Sequence, residues 1–224
     1  MRRNPLVNDE YYHIYNRGVD KRKITMDKFD SDRFITSLVE FNSIDPIGSL
    51  YRQNLQINKE KRNLRGPTSQ IVELVAYCLN PNHYHLILKQ KTDRGISEFM
   101  KRLGVGYTLY FNEKYKRTGV LFQGKFKSVH ISRDDYLNHL SVYVNLNDKK
   151  HNLRGPTSQM VRSSWSEYLG KPWRDQNICS GKDIILNQFE SVGDYRKFAN
   201  GSILEIIDRG RKEDEIKELI LEWI

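Results

Sequence analysis

The pattern of apolar residues near the start of the chain predicts a strand followed by a helix. The segment Tyr11–Asn16 is an aromatic, β-prone run, which is typical of a short strand. Apolar residues then recur at helical spacing from Phe29 to Phe41. Asp30 or Ser31 is a suitable N-cap for this helix, because a short polar side chain can accept hydrogen bonds from first-turn amides.

Two apolar runs in the middle of the chain predict a hairpin. They span Val72–Leu79 and His83–Leu88, and the turn-forming sequence Asn80-Pro81-Asn82 separates them. A long amphipathic helix follows, because apolar residues recur at helical spacing from Ile96 to Phe111.

Another strand and helix complete the pattern. Leu121–Ile131 reads as a strand, and Ser132 followed by Asp135 resembles a capping box that opens a helix from Asp134 to Leu146. The order β-α-β-β-α-β-α matches, in its first six elements, the split βαβ arrangement. We therefore predict an α+β fold, a ferredoxin-like sandwich of an antiparallel sheet with helices on one face.

The remaining sequence predicts a C-terminal helical extension. One helical pattern begins near Ile203, with Ser202 and Glu205 as its cap, and Gly210 separates it from a second pattern, Ile216–Trp223. Residues 1–150 are expected to form the catalytic domain, with a polar loop insertion at about 45–70. Residues 151–224 are expected to hold a second loop insertion followed by the extension.

Charge favours nucleic acid as a partner. The chain has 37 basic and 28 acidic residues, a net charge of +9. Lys101–Lys127 contains seven basic residues, one acid and several aromatic rings. Cations suit phosphates and rings suit unstacked bases. The alternative is a solvated helix face with an aromatic core behind it.

The two cysteines, Cys78 and Cys179, allow no disulfide framework and no cysteine-based zinc motif. The sequence shows no apolar run near twenty residues and no signal-peptide pattern. A soluble cytoplasmic protein is the expectation.

The candidate chemistry lies in a His-x-His pair and in a later helix. His83 and His85 share one face of their strand, because alternate side chains point the same way. Tyr143 and Asn147 share one helical stripe with Leu140, whereas Ser141, Asn145 and Asn138 lie near the opposite side. Periodicity alone leaves a second interpretation equally open, in which the histidines and Tyr143 are core residues.

If the two faces meet, they form a metal site beside a phenol. A divalent ion held by His83, His85 and the Asn147 oxygen would polarise a phosphate and offset its charge. Nitrogen and oxygen ligands without thiolate are compatible with Mg²⁺ or Mn²⁺ and do not exclude zinc. Tyr143 could then attack phosphorus and form a phosphotyrosine.

An eight-residue segment occurs twice. Asn63–Gln70 recurs letter for letter as Asn152–Gln159, and its Arg-Gly-Pro-Thr-Ser core is typical of surface turns. We favour the hypothesis that both are translated copies of an eight-codon genomic repeat inserted in frame. Divergent codons in the two copies would contradict it. The alternative is a duplicated DNA-contacting loop that uses Arg65 and Arg154.

Three motifs in this order resemble the single-tyrosine HUH transposases, and most closely the REP-associated tyrosine transposases. They are Asn80-Pro81-Asn82-His83-Tyr84-His85-Leu86, Gly119-Val120-Leu121-Phe122-Gln123-Gly124-Lys125-Phe126-Lys127 and Tyr143-Val144-Asn145-Leu146-Asn147. Tyr15-Asn16-Arg17-Gly18 and the segment from Ser163 to Gly170 also fit. The similarity extends from about residue 10 to residue 170.

The resemblance implies an enzyme that nicks and rejoins single-stranded DNA next to hairpins through a covalent 5'-phosphotyrosine. It implies Tyr143 as the nucleophile, His83, His85 and Asn147 as ligands of Mg²⁺ or Mn²⁺, and a monomer or homodimer, with the monomer favoured. The predicted DNA-binding residues are Arg17, Lys101, Arg102, Lys114, Lys116, Arg117, Gln123, Lys125 and Lys127.

Two departures from the family pattern stand out. Asp148-Lys149-Lys150 replaces the usual proline after Asn147, and Lys125 replaces an arginine, which removes a bidentate phosphate contact. The alternative function is a catalytically inactive, domesticated DNA-hairpin-binding protein. A metal-free RNA-binding module of the same fold would leave the His pair and Tyr143 without a role.

Overall fold

The computed structural model of the protein describes residues 5–44, 70–153, 155–173 and 176–221, with the backbone alone from 211 onward. The strands are β1 Tyr11–Arg17, β2 Val72–Leu79, β3 His83–Gln90, β4 Lys127–Ile131 and β5 Arg162–Ser163. The helices are α1 Lys28–Glu40, α2 Gly95–Lys114, α3 Asp134–Asn145, α4 Asn147–Lys150, α5 Trp165–Tyr168, α6 Asp183–Leu186 and α7 Val192–Leu221. Short 3-10 helices span Val19–Lys21 and Gly155–Met160.

The five strands form one sheet in the order β4-β1-β3-β2-β5, and every pairing is antiparallel. The first four strands have the ferredoxin-like arrangement, so the predicted α+β fold is confirmed. β5 extends the sheet beyond β2 through Cys78 and Leu79. The strand that carries the His pair, β3, therefore lies at the centre of the sheet.

Helices cover both faces of this sheet. α1 and α2 pack on one face, where Phe34, Phe99 and Tyr107 meet the alternate β3 residues Tyr84, Leu86 and Leu88. On the other face, α3 and α7 pack against the inner strands through Leu140, Val144, Tyr195 and Ile203. The prediction that the two helices of the ferredoxin-like unit share one face is confirmed by α1 and α2, while α3 and the C-terminal helix α7 lie on the other face.

Several predicted boundaries differ from the observed ones. Asp27, rather than Asp30 or Ser31, caps α1: its side chain accepts from the Asp30 amide, and the Asp30 side chain accepts from the Asp27 amide. The strand predicted from Leu121 begins only at Lys127, because Leu121 and Phe122 turn into the α1–α2 core and Gly124 takes φ +65°.

The predicted caps of the later helices are also wrong. Arg133 is the N-cap of α3, without a side-chain cap bond, and the Asp135 carboxylate binds Arg133 instead of completing a capping box. Ser202 lies inside α7, which passes through Gly210 without a break. The second C-terminal pattern, Ile216–Trp223, is helical to Leu221, and Trp223 lies outside the described residues.

The C-terminal segment belongs to the same core as the predicted catalytic domain, because residues of β2, α3 and α7 share one cluster. The loop predicted at about 45–70, with all but the last residue of the first octapeptide, lies outside the described residues. Among the helices that the structure describes, none combines the length and apolar character needed to cross a bilayer.

Candidate active site

β3 directs its two histidines away from the α1–α2 core. His83 and His85 alternate with the buried Tyr84 and Leu86, so the imidazoles lie on the face covered by α3. In the β1–β3 register, Arg17 is opposite His83 and Tyr15 is opposite His85. Residues of two strands therefore surround the histidine pair.

α3 brings the predicted nucleophile to this face. The Tyr143 ring packs edge-on against the His85 ring, with centroids 5.2 Å apart. The convergence predicted for Tyr143 and the His pair is therefore present in one chain.

Asn147 reaches the same place by a different route from the one predicted. α3 ends at Asn145, and Leu146 takes a non-helical conformation before Asn147 opens α4. The Asn147 side chain is nevertheless fully buried, and its Oδ1 lies 3.1 Å from His83 Nε2. Tyr143 and Asn147 thus lie on two helical segments rather than on one continuous stripe.

The hydrogen bonds of His83 determine which of its ring nitrogens carries the proton and which carries the lone pair. Its Nδ1 lies 2.7 Å from Asn82 Oδ1, which can only accept, so Nδ1 is the donor and Nε2 carries the lone pair. Asn80 Nδ2 then donates both to His83 Nε2, at 2.9 Å, and to Asn147 Oδ1, at 2.6 Å. The lone pairs of two predicted ligands therefore converge on one point.

This convergence fits a divalent cation. Two neighbouring ligands of an octahedral ion with bonds of about 2.1 Å lie about 3 Å apart, close to the observed separation of His83 Nε2 and Asn147 Oδ1. No group of three His, Cys, Asp or Glu side chains within the described residues is placed to hold a metal. The site accordingly depends on the Asn147 amide oxygen as a donor beside the two imidazoles.

Burial sets the protonation states of the site. It lowers the pKa of His83 to about 4 and that of His85 well below the ordinary value, so both imidazoles are neutral and able to bind a metal at neutral pH. Burial raises the pKa of Tyr143, and the Asn147 amide opposes that shift. The phenol is therefore protonated at rest and must lose its proton to attack.

A cavity of about 730 Å³ opens over Tyr143, His83 and His85. Its wall is basic, with Arg17, Lys21, Lys23 and Lys127. The Arg17 guanidinium donates to the side-chain oxygen Oε1 of Gln123. The backbone N–H of Gln123 donates to the backbone carbonyl of Arg17 at 2.8 Å. Three of the predicted DNA-binding residues, Arg17, Gln123 and Lys127, therefore line the candidate active site.

The structure does not bring the other predicted DNA-binding residues to this cavity. Lys101, Arg102 and Lys114 are on α2, which covers the opposite face, and the remaining three are in the segment that follows it: Lys116, Arg117 and Lys125. Lys114 is paired with Asp27 and Asp30, at 2.8 and 2.6 Å. A DNA-binding role for this group stays a prediction.

The cavity also contains residues to which the sequence assigned no role at the site. The His151 ring lies edge-on to the His83 ring at 4.9 Å, and burial lowers its pKa. Leu153 and Thr157, from the second octapeptide, line the same cavity. Asn80, Asn82 and Lys21 contribute as well. Of these, only the Asn-Pro-Asn motif beside the histidines gave a signal in the sequence.

The fold and the site define a ferredoxin-like domain in which a tyrosine helix faces a His-x-His strand. Residues 59–147 match the family model described as "Transposase IS200 like". This match agrees with the resemblance inferred from the motifs, at the level of the IS200-like transposases. A comparison with curated proteins finds no match.

Solved structures with a similar fold have low sequence identity. A REP-associated tyrosine transposase bound to a REP hairpin is 12% identical, with a TM-score of 0.43, over 82% of this chain and 92% of that chain. A bacterial tRNA(His) guanylyltransferase-like protein in complex with GTP is 10% identical, with a TM-score of 0.40, over 67% of each chain.

Proposed function

We propose that the protein is a metal-dependent transposase or endonuclease that nicks and rejoins single-stranded DNA next to hairpins. One observation carries the proposal: Tyr143, His83 and His85 line a basic cavity, with Asn147 against His83, in a chain that matches the IS200-like transposase model over residues 59–147. The hairpin and the REP-like character of the substrate follow from the motif resemblance.

The chain's own residues would bind and orient the scissile phosphate. Arg17 and Lys127 supply positive charge on the cavity wall, and Tyr15 and Tyr143 offer ring surfaces for unstacked bases. Mg²⁺ or Mn²⁺, when bound by His83, His85 and the Asn147 oxygen, would polarise the phosphate and offset its charge.

Cleavage is then a transesterification. Tyr143 Oη attacks phosphorus and the bond from phosphorus to the 3' oxygen breaks. The phenol proton passes to water, and the departing 3' oxygen takes a proton from water. The strand leaves with a free 3' hydroxyl while its partner keeps a 5'-phosphotyrosine. Attack of a 3' hydroxyl on the phosphotyrosine reverses the step and rejoins DNA, which suits strand transfer.

A covalent adduct tests the proposal. Labelled single-stranded hairpin DNA is incubated with the protein and Mg²⁺ or Mn²⁺, and the products are separated on a denaturing gel. We expect an adduct that chelator and Tyr143→Phe both abolish. The matched control is Tyr136→Phe, which removes an exposed hydroxyl from the same helix and should keep the adduct.

Binding without an adduct, across both metals and several hairpins, would contradict the enzyme. That result would instead support the alternative function of a catalytically inactive, domesticated hairpin-binding protein.

We also infer that a monomer is sufficient, because one chain supplies all four site residues. Mixing His83→Ala with Tyr143→Phe tests this inference. If each chain uses its own tyrosine, the mixture stays inactive. Recovery of adduct in the mixture would show that two chains exchange their tyrosine helices.

A further inference from the structure

A third histidine contacts the candidate metal site from the neighbouring strand. His13 on β1 is opposite Ile87 in the register, one step along the same face from His85. Its Nε2 lies 2.9 Å from His85 Nδ1, and both side chains are only 8% exposed. This is a buried hydrogen bond between two imidazoles.

Stacked rings hold this pair in place. The His13 and His85 rings are stacked with centroids 5.1 Å apart and planes at 21°. Tyr15 stacks on both, at 5.0 Å from His13 and 5.7 Å from His85. The orientation of the two imidazoles is therefore fixed by three strand residues on one face.

Only one proton can lie between the two nitrogens, and its position decides whether His85 can bind a metal. His13 Nε2 and His85 Nδ1 lie 2.9 Å apart, so one of them donates and the other accepts. An imidazole that binds a metal through a lone pair is neutral and carries a single N–H. If His85 Nδ1 donates, its Nε2 has a free lone pair. If His13 Nε2 donates instead, the proton of His85 is on Nε2, which then cannot be a ligand.

We propose that His13 is a positioning residue that accepts the Nδ1–H of His85 and so holds the Nε2 lone pair of His85 ready for the divalent ion. The inference rests on the proposed metal-dependent function and deepens it. Metal-binding histidines commonly donate their second ring N–H to a neighbouring acceptor, and loss of such a partner typically costs about 10–100-fold in metal affinity. Here the acceptor is an imidazole, matching the Asn82 oxygen that accepts from His83.

The first measurement is the tautomer of His85 in metal-free protein. Long-range ¹H–¹⁵N spectra of ¹⁵N-histidine-labelled protein at neutral pH distinguish the two forms. In the wild type we expect His85 to carry its proton on Nδ1. A wild-type His85 protonated on Nε2 would overturn the proposal without any need for a variant.

Variants then separate positioning from packing. His13→Phe keeps a ring but removes the acceptor, and we expect His85 to shift toward the Nε2–H form and Mn²⁺ affinity to fall about 10–100-fold by calorimetry. His13→Gln places an oxygen near the lost Nε2 and should restore both readouts. His130→Phe, on β4, is the matched control and should change neither.

The outcomes distinguish this proposal from the proposed function. If His13→Phe folds, keeps the wild-type tautomer and binds Mn²⁺ equally well, the positioning role is wrong while cleavage can still stand. If the tautomer depends on His13 but the wild type forms no adduct with any hairpin, the positioning role stands and the proposed function fails. If His13→Phe does not fold, the wild-type tautomer and the Gln variant decide.

Discussion

The two faces of the sheet use the same strands for different purposes. On the α1–α2 face, β3 contributes Tyr84, Leu86 and Leu88 to a cluster of aliphatic and aromatic side chains. On the α3–α7 face, the alternate positions are His83 and His85, beside Tyr143 and a basic cavity. The first face is mainly apolar, whereas the second also carries buried polar groups that the proposed function would use.

Polar groups on the two faces are satisfied in different ways. Asp30, fully buried beneath α2, accepts hydrogen bonds from Tyr110 and Tyr115 and pairs with Lys114. Its partners are complete, as a structural ion pair requires. At the site, by contrast, His83 Nε2 and Asn147 Oδ1 present lone pairs to one shared donor. Two acceptors that converge on one donor are the arrangement that the proposed metal site would use.

The largest effect is expected from His83→Ala. It removes one predicted ligand, so adduct formation should fall by more than about 100-fold, since even partners of ligands are worth about 10–100-fold. The free energy of unfolding should fall by only about 1 kcal/mol, the net value of a hydrogen bond. Gel-based adduct assays and urea unfolding measure the two quantities. Loss of folding together with activity would show that the His pair is structural.

Leu86→Ala should show the reverse pattern. Leu86 is fully buried in the α1–α2 core, and such truncations cost about 2–5 kcal/mol. We expect a lower urea midpoint, while the fraction that remains folded should form adduct at close to the wild-type rate. A change in rate as large as that of His83→Ala would mean that the two faces are not independent.

Acid should weaken the histidine face selectively. Burial lowers the pKa of His13 to about 4, below its unfolded value near 6.5. The unfolded state therefore binds more protons between these values, and this contribution to stability, present above pH 6.5, is lost as pH falls toward 4. The stability lost at pH 5, relative to pH above 6.5, is on the order of 2 kcal/mol.

Urea unfolding at pH 7 and pH 5 checks this dependence. His13→Gln should lose less stability on acidification than the wild type does. Equal pH dependence in wild type and His13→Gln would contradict the assignment.

The smallest effect concerns which face binds DNA. Lys127 lines the cavity, whereas Lys101 is exposed on α2. Losing one phosphate contact to single-stranded DNA should reduce the salt slope of the binding constant by about 0.7. We expect this reduction for Lys127→Ala, with a smaller change for Lys101→Ala, from binding measured at several salt concentrations. Equal reductions would mean that the DNA path continues around to α2.

The sequence predicted the elements that local pattern controls. β2, β3 and α2 were confirmed because apolar periodicity and the turn at Pro81 mark them strongly. The predicted end of α3 and the predicted caps were wrong. A cap depends on which of several nearby polar side chains forms the hydrogen bond to the first-turn amides. At α1 that choice fell on Asp27.

Contacts between distant segments that belong to no recognised motif could not be predicted. Ser141 and Asn145 were placed near the side of α3 opposite the core stripe, yet both are fully buried, because the hydroxyl of Tyr195 on α7 binds them at 3.0 Å. The role of His13 likewise depends on a strand register that joins residues 72 positions apart. No periodic pattern in the sequence marks Tyr195 or His13 as the partner in these contacts.

The second octapeptide, Asn152–Gln159, places a repeated segment in the wall of the cavity. Because Leu153 and Thr157 line the cavity, a segment whose eight residues recur letter for letter at Asn63–Gln70 forms part of the proposed substrate contact. Loss or duplication of that block would remodel the wall in one genetic event and leave Tyr143 and both histidines in frame.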